Sequence, residues 1–166
     1  MTRYLYALSA CAATAAAGTA LAGTTNFFAD LSGNNEVPAI STTATGTATA
    51  VYDDIANTLS VQWDIMDLMG NPASPGSHIH NGAPDENGPV VFPFHNPDGS
   101  WPLSGSAVWT DVPSDMVDAL FAGGLYFNFH TDMFPGGEVR GQIVPAPAAA
   151  GLHGVAGLVG FTRRRR

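Results

Sequence analysis

The strongest constraint on the fold is a pair of alternating segments near the C-terminal end of the sequence. Apolar and polar residues alternate through residues 125–130, and residues 138–143 repeat this alternation. In one antiparallel register all apolar residues share one face and all polar residues share the other. A shift by one residue would mix the two faces, so the pattern predicts a hairpin in that register. The predicted pairs are His130 with Glu138, Phe129 with Val139, Asn128 with Arg140, and Tyr126 with Gln142.

The preceding part of the sequence also favours short strands. Residues 43–52 and 59–65 alternate in the same way, and Asp53, Asp54 and Asn57 between them predict a turn, so the two segments should form a hairpin. Residues 70–77 are rich in proline and glycine, which is typical of a loop. Further extended segments are predicted at residues 78–80, 90–94 and 105–110, with Pro93 marking an edge strand or a strand end.

One short helix is predicted near residues 114–122. Ser114 is a candidate N-cap and Gly123 a candidate stop signal after the last turn. Its apolar stripe is Met116, Val117, Leu120 and Phe121. The sequence as a whole therefore predicts an all-β fold, an immunoglobulin-like antiparallel sandwich or small barrel with this one helix.

The N-terminal segment, residues 1–22, has the pattern of a secretory signal peptide. Arg3 precedes an apolar stretch that ends in Ala20-Leu21-Ala22, a small-residue cleavage motif for signal peptidase. The mature β domain would then span residues 23–144. An alternative is a lipoprotein signal in which Cys11 is the lipidated residue.

The C-terminal segment, residues 145–166, is predicted to lie outside the folded domain. Its prolines cannot continue a central strand. The apolar run of 15 residues after them would be about 22 Å long as a helix, shorter than the ~30 Å hydrocarbon core of a bilayer. Residues 163–166 are all arginine and would hold this end on the cytoplasmic side of a membrane.

This tail resembles a PEP-CTERM sorting signal, which an exosortase-type membrane transpeptidase reads and cuts. It departs from that pattern at Ala146, where a glutamate is usual, and at His153, which interrupts the apolar run. The resemblance implies an exosortase-type sorting enzyme as a processing partner. It also implies transient membrane association through the tail, with delivery to the cell surface or extracellular space.

The mature region is strongly acidic. All 14 acidic residues lie between Asp30 and Glu138, and Arg140 is the only base in residues 23–144, so the formal net charge of this region is −13. Such a surface repels nucleic acid and anionic lipid, and we expect no nucleic-acid partner. Residues 23–144 contain no cysteine, so the domain should fold without disulfides.

Several short motifs together resemble a CHRD domain. They are LSG at 31–33, EVP at 36–38, SHIHNGAP at 77–84, NGPVVF at 87–92, NFHT at 128–131 and GGEVRGQ at 136–142. The resemblance spans roughly residues 26–143, with departures at Ala39, Phe129 and Val139. It implies an immunoglobulin-like β architecture in an extracellular setting, and it supplies no established activity. We therefore expect a non-catalytic exported module of the cell surface or extracellular matrix, structural or adhesive. Extracellular polysaccharide or surface proteins are its candidate partners.

The histidines suggest an alternative function. In an extended segment His78 and His80 point to the same side, about 7 Å apart along the chain. Together with His130 they could bind a Zn or Cu ion, and Glu138 could orient His130 from the neighbouring strand. The protein would then be a metal-binding protein or a metal-dependent enzyme. The competing hypothesis is that each histidine caps a loop or bonds a backbone carbonyl.

Other polar and aromatic residues have simpler interpretations. His95, Asp85 and Glu86 are further candidate ligands. Glu138 and Arg140 are expected to make cross-strand polar contacts in the hairpin, with Arg140 paired for structure and not free to hold an anionic substrate. Trp101 is expected to be a core residue, although its flanking serine and proline also allow an exposed position. No arrangement typical of nucleophilic or glycosidic catalysis stands out.

Overall fold

The computed structural model describes residues 23–146, which form a single antiparallel sheet that curls into a nearly closed barrel. The strands within the described residues are β1 Thr24–Ser32, β2 Thr45–Asp53, β3 Thr58–Met66, β4 Pro72–Asn81, β5 Val90–Pro93, β6 Ser104–Thr110, β7 Leu125–Thr131, β8 Val139–Gln142 and β9 Val144–Pro145. Along the sheet they run in the order β5-β4-β7-β8-β1-β2-β3-β6, and β9 pairs with β1 beyond the end of β8. The predicted all-β class, with a small barrel and one short helix, is confirmed.

Strand β1 joins the two halves of the barrel. It pairs with β2 along its whole length, with β8 through Ser32 and Arg140, and with β9 through Phe27 and Pro145. Its inward residues alternate in the pattern expected of a half-buried strand. Sequence analysis had assigned no strand to this segment. A short 3₁₀ helix, Gly33–Asn35, follows it.

Strands β2, β3 and β6 form the other half of the sheet. The predicted hairpin between β2 and β3 is confirmed, and Asn57 takes the left-handed conformation in its turn with a φ of 49°. Alternate residues of β3 are buried in the core and the intervening ones face outward. This half therefore has the one-sided burial that the alternating sequence predicts.

The barrel closes through aromatic contacts across its two edges. The edge strands are β5 and β6, as the pairing order shows. The ring of Phe92 on β5 stacks on Trp109 of β6 with centroids 5.1 Å apart and planes 1° from parallel. Next to this stack Phe94 contacts Trp63 at 5.0 Å. Burial and stacking of large rings thus replace a hydrogen-bonded ladder at this seam.

The predicted short helix is confirmed as α1, Ser114–Phe121, and it lies against the core near β7 and β9. Leu120 of this helix is fully buried, while Phe121 packs edge-on against Phe27. The prediction that Ser114 caps the helix is wrong. Pro113 occupies the N-cap position, and its carbonyl accepts bonds from the backbone N–H groups of residues 116 and 117. Gly123 follows the last turn with a φ of 70°, as expected for a stop signal.

Two predicted boundaries differ from the structure. Residues 72–77, predicted as loop, belong to β4, although the pairing with β7 is interrupted between Pro72 and Ser77. The last strand includes Pro145, and the N–H of Ala146 donates to the carbonyl of Asn26. A proline lacks an N–H group, but it is tolerated there because β9 is only two residues long and the N–H of the next residue, Ala146, makes the bond to β1. Within residues 23–146, no helix combines the length and apolar composition needed to cross a lipid bilayer.

Replacing Gly105 with alanine should destabilise the domain by about 1–3 kcal/mol, because the added methyl group would overlap the indole ring of Trp63. Chemical unfolding of purified protein would measure the change. Gly136→Ala is the matched control, since no atom lies within 4 Å of the added group. Equal stability of the two variants would contradict the packing described for Trp63.

Candidate metal centre

Strand β7 is buried on both faces, and this produces a second, polar layer outside the apolar core. All seven of its residues are buried. Leu125, Phe127 and Phe129 belong to the core, whereas Tyr126, Asn128 and His130 lie on the opposite face. Polar side chains on that second face must therefore find their partners within the protein.

The predicted register of the final hairpin is confirmed over the length of its ladder. Tyr126 lies opposite Gln142, Asn128 opposite Arg140, and Phe129 opposite Val139. Beyond the ladder the N–H of Glu138 donates to the carbonyl of Phe129 at 2.7 Å. Strand β4 lies on the other side of β7 and adds its own side chains to the polar layer.

Three histidines meet in this layer. His78 lies opposite Asn128 and His80 opposite Tyr126, so both rings share the face that carries His130. One ring nitrogen from each of the three can be chosen so that all lie within 4.8 Å of one another. The exposed fractions of His78, His80 and His130 are 6%, 9% and 5%. The structure thus brings together the three residues that the sequence motifs singled out.

Backbone carbonyls fix the orientation of two of the rings. The Nδ1 of His80 lies 2.9 Å from the carbonyl oxygen of Gly88, and the Nδ1 of His130 lies 3.0 Å from that of Pro135. A carbonyl only accepts hydrogen bonds, so each neutral ring carries its proton on Nδ1 and its lone pair on Nε2. Neither Nε2 has a hydrogen-bond partner, and neither does the buried Nδ1 of His78. Metal-binding histidines are oriented in this way.

The rings are also held in the uncharged form. Burial, reinforced by the neighbouring histidines, lowers the pKa of His78 from 6.5 to about 4. Burial lowers the pKa of His130 to about 4 against the opposing effect of its bond to Pro135, and it lowers that of His80 as well. Neutral imidazole is the form that coordinates a metal ion.

Tyr126 and Trp101 position two of these histidines, although sequence analysis gave neither residue that role. The ring of Tyr126 stacks on His80 with centroids 4.9 Å apart, and its hydroxyl accepts from the N–H of Gly88 at 3.0 Å. Trp101 is buried and donates from Nε1 to the carbonyl of His130 at 2.8 Å. The alternative that Trp101 is exposed is therefore wrong.

Glu138 does not orient His130, contrary to the sequence-based prediction. Its carboxylate accepts hydrogen bonds from the hydroxyls of Thr42 and Thr131 and from the N–H groups of Met69 and Gly70, at distances of 2.6–3.1 Å. Four donors satisfy this fully buried carboxylate. Its role is to tie two loops to β8 instead of supporting the histidines.

Arg140 is likewise buried, and several contacts hold its side chain. Its guanidinium lies 3.5 Å from the centroid of the Tyr126 ring and donates to the carbonyl of Ala83 at 2.7 Å and to Oδ1 of Asn87 at 3.3 Å. Neither hydrogen bond goes to a carboxylate. Since all three partners are neutral, a cation–π contact and a loop carbonyl hold this charge in place.

The further candidate ligands are divided between the cluster and the surface. The ring of His95 lies 5.2 Å from that of His78, between centroids, and its Nδ1 lies 2.7 Å from the carbonyl of Asn96. His95 is not part of the group of three converging nitrogens. Asp85 and Glu86 are exposed and lie outside that group as well.

A buried carboxyl group, that of Glu36, bonds to Asn128 on the polar face of β7. Glu36 accepts at Oε2 from the side-chain amide of Asn128 at 3.3 Å, while its Oε1 and the Oδ1 of Asn128 have no partner. The two oxygens are neighbours, because a Cβ atom on Gly137 would overlap both. Burial raises the pKa of Glu36 to about 7, although Arg140 nearby and the bond from Asn128 oppose this. A protonated Glu36 would donate from Oε1 to Asn128 and complete a reciprocal acid–amide pair.

Comparison with known proteins gives one positive result. The family model of the CHRD domain matches residues 27–143. No curated protein and no solved structure matches the chain significantly. The matched range contains every residue of the histidine cluster described above.

Acid should destabilise the metal-free protein. The folded-state pKa values of His78 and His130 lie below 6.5, so between about pH 6.5 and 4 the unfolded chain binds more protons. Stability should therefore fall as the pH decreases through this interval. Urea unfolding in the presence of a chelator at pH 7, 5.5 and 4.5 measures the free energy of unfolding. In His130→Gln this free energy should depend less on pH. Unchanged stability across the interval would contradict the buried, neutral state of these rings.

Glu36→Gln should stabilise the protein increasingly as the pH rises from 5 to 8. In the wild type the folded pKa of Glu36 lies above its ordinary value of 4.5, so stability is lost as the pH rises through about 7. The glutamine amide can make both bonds to Asn128 without titrating. A shift of this size corresponds to a gain on the order of 3 kcal/mol at pH 8. The difference in unfolding free energy between variant and wild type isolates Glu36 from the histidines, and a constant difference would refute the acid–amide pair.

Proposed function

The chain belongs to the CHRD domain family, and we propose that it is an exported domain that holds one zinc or copper ion between His78, His80 and His130. Family membership supports the extracellular setting. The metal-binding function is supported by the convergence of these three buried rings, each of which offers one nitrogen within 4.8 Å of the others. Each ring also has one buried nitrogen without a hydrogen-bond partner.

A metal ion accounts for these nitrogens better than a purely structural role. A structural histidine usually bonds through both nitrogens or exposes one of them to water. Each buried acceptor without a donor costs about 1–3 kcal/mol. One cation between the rings would satisfy His78, His80 and His130 together. The carbonyls of Gly88 and Pro135 already hold two rings in the tautomer that this requires.

The donor set favours particular metals. Imidazole nitrogen suits zinc and copper, whereas calcium and magnesium require oxygen ligands. The group of three contains neither a carboxylate nor a thiolate. Zinc binds imidazole nitrogen at about 2.0–2.1 Å, so small movements of the three rings would complete its coordination. The abundant surface carboxylates would add only weak, diffuse binding of divalent ions.

The same burial favours a non-catalytic role for the ion. The rings of the cluster are almost inaccessible to solvent, which leaves little room for a substrate. We therefore favour a structural or adhesive module of the cell surface or extracellular matrix over a metal-dependent enzyme. Extracellular polysaccharide or surface proteins are its proposed partners.

Export and sorting complete the proposal. The proposed signal peptide, residues 1–22, and most of the proposed tail, residues 145–166, lie outside the described residues. We propose that signal peptidase removes the first segment, or that Cys11 is lipidated instead. An exosortase-type enzyme would then process the tail during a transient association with the membrane.

Protein produced without an affinity tag should bind one Zn or Cu ion per chain in high salt, where diffuse attraction to the acidic surface is screened. His78→Ala and His130→Ala should each abolish tight binding. Metal at about 100 times its Kd should stabilise the wild type by about 2.7 kcal/mol, seen as a higher Tm. Isothermal titration and thermal unfolding measure these quantities.

Glu86→Ala is the matched control, since it removes an exposed acid outside the cluster. It should leave tight binding unchanged, and circular dichroism would establish that the histidine variants remain folded. Equal and weak binding by the wild type and both histidine variants would overturn the metal function. The protein would then be a CHRD-family surface module without a metal centre.

A further inference from the structure

His95 extends the cluster to four histidines, all of those in the described residues. Its ring packs edge-on against His78 at 5.2 Å, and His78 contacts His80 and His130 at 5.4 Å and 5.1 Å. His78 is therefore the central ring of the group. The fifth histidine of the sequence, His153, lies outside the described residues.

The local structure prepares His95 to act as a ligand. Its Nδ1 faces the carbonyl of Asn96 at 2.7 Å, so the neutral ring carries its lone pair on Nε2, as His80 and His130 do. The segment after it is closed by its own bonds, including Asn96 N–H to the carbonyl of Ser100 at 2.8 Å. Three rings of the cluster thus share one arrangement, with Nδ1 at a backbone carbonyl.

Strand β4 leaves space for this ring. Gly76 lies directly beneath it with a φ of 112°, and a Cβ atom at that position would overlap the His95 ring. A side chain there would separate His95 from His78. The chain therefore combines a glycine at this point of β4 with a histidine that packs onto it.

We propose that the ring of His95, which lies outside the group of three converging nitrogens, moves towards the metal ion held by His78, His80 and His130 and becomes its fourth ligand. The inference rests on the proposed metal function and deepens it. Three protein ligands leave a coordination position open for water or substrate, whereas four close the site. A closed four-nitrogen centre holds its ion instead of presenting it to a substrate.

His95 also sets the route by which the ion is exchanged. The other three ligands are buried, while His95 is half-buried at the surface. It is therefore the ligand that an incoming ion or an external chelator meets first. Release of His95 opens the centre without disturbing the strands that carry the other three.

The test uses the full mature domain loaded with one Co(II) ion, titrated with azide and followed by its visible spectrum. The wild type should exclude azide, because no coordination position is free. His95→Ala should bind azide with a new absorption band and should lose metal to a chelator at least about tenfold faster. Asn96→Ala is the matched control, since it alters the same loop but keeps the backbone carbonyl that faces His95.

Azide binding by the wild type equal to that of His95→Ala would overturn the fourth-ligand proposal and leave an open three-histidine centre. Failure of the wild type to bind Co(II) stoichiometrically would overturn the proposed function itself. If His95→Ala does not fold, pulsed EPR of the Cu(II)-loaded wild type decides the question without a variant. Four coordinated imidazoles support the proposal and three refute it.

Discussion

The burial of β7 on both faces governs the rest of this structure. One face completes the apolar core, and the other carries polar side chains that water cannot reach. Loops with little apolar content are therefore recruited as hydrogen-bond partners: Gly88 and Pro135 supply carbonyls, and Glu138 ties down two further segments. Within the histidine cluster the protein leaves ring nitrogens without any such partner. The metal hypothesis rests on this contrast between the ring nitrogens and the polar groups that do have partners.

Much of the fold follows from period-two patterns in the sequence. The register of the β7–β8 hairpin was predictable because a shift by one residue would bury polar groups in the core. Strand β1 was missed although Phe27, Ala29 and Leu31 alternate inward. Phe28 blurs the alternation, and two of the strands that β1 pairs with lie more than a hundred residues away in the sequence. Local patterns carry no signal for such pairings.

The candidate site could be predicted in its residue types but not in its environment. Alternation placed His78 with His80, and the hairpin register placed His130 on a polar face. That face looks solvent-exposed in the sequence, since Glu138 and Arg140 share it. Both residues are nevertheless buried, because the loops around residues 42, 69–70 and 83–87 fold over them. The positions of these loops depend on the whole barrel. No local pattern could therefore reveal that Glu138 is fully hydrogen-bonded or that the guanidinium of Arg140 lies over Tyr126.

The pairing of β1 with β9 determines where the two ends of the described chain lie relative to the histidine cluster. Gly23 bonds to Asp54, and Ala146 bonds to Asn26, so both ends of the described chain leave from the same end of the barrel. Ser32 of β1 pairs with Arg140, and Arg140 lies across β7 from His78. Along β1, Ser32 is five residues, or ~17 Å, from Phe27, which pairs with Pro145. A link to a surface through either end would therefore place the histidine cluster at the far end of the barrel, away from the support.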